Sequence, residues 1–309
     1  MRRSLTTLLL PLALVAAGVS SSFADEKCEL LQYASLDMGT DRTGGVYVPA
    51  MVNGQKVNLL VDIGGFVSLL TQTTVQDLSL KQEALSARTE VSMPGTRIKR
   101  FVRADTVQLG KLNGAHITFL VMPDGRMPSE VGGTLGRDFM ANYDVEFDFA
   151  KGKLNLFSPE HCNGQVAYWT HSPYARIPIK FDSTSPVWAT VLLDGKPVDA
   201  AIDTGFSRSI IGFEVARNLF DWHENTAGLA VVSKRSDGTP ATYHFPFQTL
   251  SFSGVAVANP DILIVRPLGT GDVGSSEVPF AIGQDVLRQL HLYVAYRERA
   301  IYATSAEAN

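Results

Sequence analysis

One ten-residue pattern occurs twice in this chain, and any fold it adopts has to accommodate both copies. The first reads Val61-Asp62-Ile63-Gly64-Gly65-Phe66-Val67-Ser68-Leu69-Leu70, the second Ile202-Asp203-Thr204-Gly205-Phe206-Ser207-Arg208-Ser209-Ile210-Ile211. Asp203 follows Asp62 by 203 − 62 = 141 positions, and Ser209 follows Ser68 by the same interval. An apolar strand that ends in an acid and a glycine carries a carboxylate on a tight, nearly buried turn, an unfavourable place for a lone charge. Two such turns point to one shared site.

The repeat extends in both directions. Ahead of Asp62, Val46 to Leu60 reads as strand, Asn53-Gly54 turn and strand, a strong hairpin signal. Val187 to Ala201 repeats it with Asp194-Gly195 at the turn. After each acid turn comes a short helical pattern, Val75 to Leu78 and Val215 to Leu219, then a polar hairpin tip, Met93-Pro94-Gly95-Thr96 and Ser236-Asp237-Gly238-Thr239. Exposed hairpins of that kind, placed over a carboxylate pair, would form a mobile cover. Later, Gly136-Arg137-Asp138 is matched by Gly283-Gln284-Asp285, and each half closes on alternating strands, Tyr143 to Phe149 with Lys153 to Phe157, and Leu292 to Tyr296 with Ala300 to Ala303. A period this long suits two complete lobes rather than a stacked solenoid. Short strands and turns dominate, so the expected class is mainly β, with a small barrel or folded sheet in each half.

Residues 1–24 carry Arg2 and Arg3, an apolar run from Leu8 to Ala17, and Ser22-Phe23-Ala24 before Asp25, the layout of a cleavable secretory signal. The expected division is a signal at 1–24, a first lobe at 25–158, a linker at 159–176 rich in turn residues, and a second lobe at 177–309. The apolar run is too short to span a bilayer, so the protein is expected to be exported, periplasmic or secreted, without a membrane span. Loss of the two arginines takes the formal net charge from −4 to −6, with mixed signs along the chain, which argues against nucleic acid as a partner. Cys28 and Cys162 are the two cysteines, and in an exported chain they are expected to pair.

On these residues the chain resembles the aspartic proteases, and within them the retropepsin-like group. The marks are apolar-Asp-Thr-Gly with a downstream Ser and apolar pair, then Leu135-Gly136 or Ile282-Gly283 before a short helix, in order and in both halves. The resemblance covers most of residues 44 to 158 and 180 to 304. It implies two homologous retropepsin-like β-barrel lobes about a pseudo-twofold axis, in a single chain expected to be a monomer. It also implies an extended peptide or unfolded protein as substrate, covered by Met93, Pro94, Gly95, Asp237 and Gly238, with no metal or cofactor. Position Asp+3 is Gly65 in one lobe and Phe206 in the other, which places the chain nearer the viral and bacterial type than the pepsin type.

Two carboxylates within hydrogen-bond reach cannot both ionise, so one pKa rises and the pair shares a proton. Asp62 and Asp203 are thus the expected catalytic pair, activating a water between them, with Thr204, Gly64 and Gly205 supporting them. The departure is Ile63. In the family a hydroxyl residue follows each Asp and grips the opposite loop; Thr204 can do so towards Ile63 and Val61, whereas Ile63 cannot return it. The alternative reading is therefore a catalytically impaired member that keeps the cleft as a peptide- or protein-binding module.

Other signals are weaker. Gly269-Thr270-Gly271-Asp272-Val273-Gly274 matches a dinucleotide-binding glycine pattern, but Ser275 to Pro279 opens no helix after it, so it reads as a flexible loop. The six histidines, His116, His161, His171, His223, His244 and His291, show no ligand spacing. Ser68 and Ser209 read as backbone-bonding residues rather than nucleophiles.

Overall fold

The computed structural model describes residues 29–86, 91–93, 96–223, 225–266 and 280–306. Both turn-containing hairpins form. Val46–Val52 pairs antiparallel with Gln55–Val61, and Trp188–Leu193 with Lys196–Ile202. Both turn residues have positive φ, 47° and 78° at Asn53-Gly54 and 46° and 79° at Asp194-Gly195, the turn whose twist suits paired strands.

A barrel closes around the first hairpin. Gln55–Val61 neighbours Gly133–Leu135, then Leu69–Thr71, Leu112–Met122 and Arg100–Leu109, and Gln108 returns to Met51 to complete the ring. In the second lobe the two long strands are each interrupted, giving Pro240–His244 with Thr249–Phe252 and Val255–Ala258 with Ile262–Val265. Pro246 and Pro260 stand in the two gaps, where a residue without an N–H cannot continue a ladder. The expected short helices are Gln72–Asp77 and Phe213–Phe220.

The feature that places the acid turns is a short inserted strand. Gly133–Leu135 lies between the two strands that flank Asp62, and Phe280–Ile282 between those that flank Asp203. Each acid turn arches over the end of its inserted strand. The Asp62 N–H donates to the Leu135 carbonyl and the Asp203 N–H to the Ile282 carbonyl, each at 3.0 Å.

The closing strands of the two lobes merge into one sheet, in the order Gln32–Asp37, Lys153–Phe157, Asp144–Asp148, Leu290–Ala295, Ala300–Ser305 and Ala175–Lys180. Its seam joins the lobes directly, with Val145 opposite Val294 and Phe147 opposite Leu292. These four side chains belong to a core that runs through both lobes. On the other face Asp144, Glu146, Asp148 and His291 are buried as well, because the stretch read as a linker packs over them. Val166 is fully buried there, and the Trp169 ring stacks on His291 at 4.3 Å. Glu146 is bonded by His291 at 2.8 Å, Tyr168 at 2.7 Å and Asn155 at 2.5 Å, and His161 meets Asp144 at 2.5 Å. Strand Ala175–Lys180 takes in the last two residues of that expected linker, because the alternation Ala175, Ile177, Ile179 turns an apolar face to the core.

Phe147 is fully buried at the seam. Phe147→Ala is expected to lower stability by about 3–5 kcal/mol, read as a shifted midpoint in urea unfolding.

Candidate active site

The inserted strands bring the two acid turns face to face. The Asp62 carboxyl lies against Gly205 and the Asp203 carboxyl against Gly64, so each acid faces the other's turn and shifts its proton affinity. Each also accepts from its own turn, Asp62 Oδ1 from the Gly65 N–H at 2.5 Å and Asp203 Oδ1 from the Gly205 N–H at 2.8 Å. The glycines make the approach possible. A Cβ on Gly64 would lie 2.4 Å from the Asp203 carboxyl carbon, and one on Gly205 2.7 Å from that of Asp62. No larger residue fits at either position without moving the opposite acid.

The Thr204 hydroxyl supplies the grip across the interface. It accepts from the Ile63 N–H at 3.0 Å and donates to the Val61 carbonyl at 2.6 Å, and Thr204 is fully buried. Ile63 is equally buried, but its side chain has neither donor nor acceptor, so it joins the core and returns no such bond. The grip is one-sided.

Electrostatics follow from this crowding. Burial raises the pKa of Asp62, opposed by the N–H of Gly65, the bond from Asp203, the N–H of Gly64 and the charge of Arg137. Burial, then the charge of Asp62, raises Asp203 well above the usual carboxylate range. Two acids so placed do not both ionise at once, and the pair holds one proton between them.

Two supporting devices escaped the sequence reading. Ser68 donates to Asp138 at 2.6 Å and accepts from the Gly136 N–H at 3.0 Å; Ser209 donates to Asp285 at 2.6 Å and accepts from the Gly283 N–H at 3.0 Å. The repeated serines thus pin each acid turn to the helix after its inserted strand. The second device is a reciprocal clasp. Arg137 of the first lobe donates to the Asp182 carbonyl in the second, and Arg288 of the second donates to the Gly44 carbonyl in the first at 2.6 Å. Asp182 opens the Asp-x-Thr turn Asp182 to Thr184 and Gly44 directly follows the turn Asp41 to Thr43; the two turns share the 141-residue offset and were legible in the sequence. At the position of Arg137 the second lobe carries Gln284, which bonds the Thr204 carbonyl at 2.9 Å.

A cavity of about 440 Å³ between the lobes is lined by Asp62, Asp203, Gly205 and Phe206 together with Leu60, Leu69, Met122 and Met127. Both acids are half-buried at its floor. Another cavity, about 430 Å³ and lined by Lys56, Asp77 and Glu130, contains neither acid. The first expected covering hairpin forms as Val91–Met93 paired with Thr96–Ile98, while Pro94 and Gly95 lie outside the described residues. In the second, Asp237 accepts from Thr239 N–H and hydroxyl at 2.9 and 2.6 Å. Asp237 and Gly238 are not among the described residues lining the cavity between the lobes. Cys162 is disulfide-bonded; Cys28, residues 1–24 and the loop at 269–274 lie outside the described residues.

Comparison with known proteins agrees with this geometry. The aspartyl protease family model matches residues 48–139 and 189–286, one match in each lobe. Together the matches span more than half of the chain, which belongs to the aspartyl protease family. No curated protein matches the sequence significantly. The chain is similar to the crystal structure of an aspartic proteinase from Irpex lacteus, with a TM-score of 0.54 and 13% identity over 89% of this chain and 98% of that one. At that identity the likeness concerns the fold.

The carboxyl pair binds protons more tightly in the folded protein than in the unfolded chain. Its contribution to stability is therefore present below the ordinary carboxylate range and lost as pH rises through the raised values. Asp203→Asn, which cannot ionise, is expected to raise Tm near pH 7 by roughly 3 °C or more and to lose most of that gain near pH 4. Thermal unfolding from pH 4 to 8 measures it; a difference that does not vary with pH removes the charge assignment.

Proposed function

We propose that the protein is an exported aspartic endopeptidase that hydrolyses peptide bonds in extended or unfolded polypeptides. The observation that supports this reading most is the placing of Asp62 and Asp203 face to face across Gly64 and Gly205, both lining the cavity between the lobes. The ionised member of the pair takes a proton from a water as that water attacks the scissile carbonyl carbon. The protonated member donates a hydrogen bond to the carbonyl oxygen, stabilising the developing oxyanion. Collapse of the tetrahedral intermediate needs the proton returned to the leaving nitrogen, and the pair that accepted it is in place to do so. An extended peptide in the cleft would pair with neighbouring strands, the mode by which sheets commonly take peptides. Export is proposed from the signal-like residues 1–24 and is in keeping with a disulfide at Cys162.

Ile63 favours a second reading, in which the protein binds peptides without cleaving them. With only Thr204 gripping across the interface, the first acid turn lacks the hydroxyl that would hold its partner. Incubation with a synthetic peptide library and analysis of products by mass spectrometry separates the two. On the enzyme reading wild type cleaves, and Asp203→Asn loses about a thousandfold or more in rate. Cleavage indifferent to Asp203 overturns it. Ile63→Thr is expected to raise kcat/KM by up to about tenfold, the worth of one restored hydrogen bond.

A further inference from the structure

The cavity beside the carboxyl pair contains two buried polar atoms with no hydrogen-bond partner among the described residues, Asp41 Oδ2 and Thr134 Oγ1. Asp41 is 5% exposed and Thr134 3%. The other oxygen of Asp41 is fully used. Asp41 Oδ1 accepts from the Thr43 N–H and hydroxyl, each at 2.7 Å, and from the Gly45 N–H at 3.0 Å. The turn is thus built on one oxygen, and the second is left over. Arg288 holds this turn from the opposite lobe through the Gly44 carbonyl, which fixes the carboxylate against the cleft.

The twin turn shows that folding does not demand this arrangement. Asp182 Oδ1 accepts from the N–H groups of Thr184 and Ser185 at 2.8 Å and the Thr184 hydroxyl at 3.1 Å. Yet that carboxylate lies on the surface and lines no part of the cavity between the lobes. Where the first lobe has Gly45 the second has Pro186. A Cβ on Gly45 would sit 2.5 Å from Asp41 Oδ2, so a residue with a side chain at this position would press on that oxygen. A carboxylate oxygen buried without a donor is unfavourable until a donor arrives, and a cationic donor suits it best. The cavity walls, Leu60, Leu69, Met122 and Met127, are apolar and suit the methylene stem of a long basic side chain. Arg126 lines the same cavity and has a partner of its own.

We propose that this cavity is a subsite for a lysine or arginine side chain of the substrate peptide, whose cationic head is received by Asp41 Oδ2 and the Thr134 hydroxyl. The proposal rests on the peptidase reading for its substrate, and its test does not depend on cleavage. A positional-scanning decapeptide library, with Lys, Arg, norleucine or Glu at each position in turn, is incubated with wild-type protein, Asp41→Asn and Gly45→Ala. Both cleavage products and peptides retained by the protein are quantified. Asn keeps the oxygen that builds the turn and removes the charge; Ala at position 45 covers Oδ2. Wild type is expected to prefer Lys or Arg over norleucine roughly tenfold or more at one position, and both variants are expected to lose most of that ratio while keeping a cooperative thermal transition. If nothing is cleaved but basic peptides are retained in an Asp41-dependent way, the peptidase reading fails and the subsite stands. Preference for Glu, no charge preference, a basic preference that survives both substitutions, or retention of no peptide overturns the subsite.

Discussion

Two carboxylates are held against each other in a place where at most one can carry charge, and the rest of the molecule is arranged to keep them there. At hydrogen-bond distance and an effective dielectric near 20, two full charges would repel by about 5 kcal/mol, and burial adds its own penalty to each. Sharing a proton removes most of the repulsion, but only if the geometry is held. Four devices hold it: the inserted strands that lock each acid turn, the Thr204 grip across the interface, the arginine clasp, and the strand seam at Val145 and Phe147. Gly64 and Gly205 leave the room. Each device spans both lobes or has a copy in each.

The copies have diverged where the backbone does not need them to match. Ser68 and Ser209, and Asp138 and Asp285, are the same in both halves and form the same bonds to the frame, while Asp62 and Asp203 each accept an N–H of their own turn, from Gly65 and Gly205. Ile63 differs from Thr204, Arg137 from Gln284, and Gly45 from Pro186. These differences concentrate around the cleft, and they make its two sides chemically unequal. Arg137 lowers the proton affinity of Asp62, which has no such cation written into the other turn. A twofold frame thus carries an acid pair with one proton between its members and an unpartnered carboxylate oxygen on one side only.

The back of the molecule follows a different logic. Asp144, Glu146 and Asp148 alternate with Val145 and Phe147, a pattern that in isolation describes a strand with one face in water. The segment between the lobes covers that face. With Tyr168 and Trp169 packed there and His161 and His291 bonded to carboxylates, the acids become buried and partnered. This segment is therefore part of the platform that joins the lobes. Its sequence, rich in turn residues, shows the absence of regular structure and says nothing of what it packs against.

The sequence by itself determined the repeat, the mainly β class, the hairpins and the pair of aspartates, because strand period, Asn-Gly and Asp-Gly turns and the Asp-x-Gly pattern are local properties of a chain. Ile63 was also visible there as the unequal member. Its consequence, a grip made by Thr204 alone, follows from local chemistry once the two loops are opposed. What only the tertiary structure decided is everything that joins positions far apart in sequence: Ser68 to Asp138, Arg137 to Asp182, Arg288 to Gly44, His161 to Asp144, and the burial of one oxygen of Asp41 beside the cleft without a partner. Such contacts leave no periodicity to read. They depend on which lobe faces which, and that is settled by the seam between two sheets rather than by any stretch of residues.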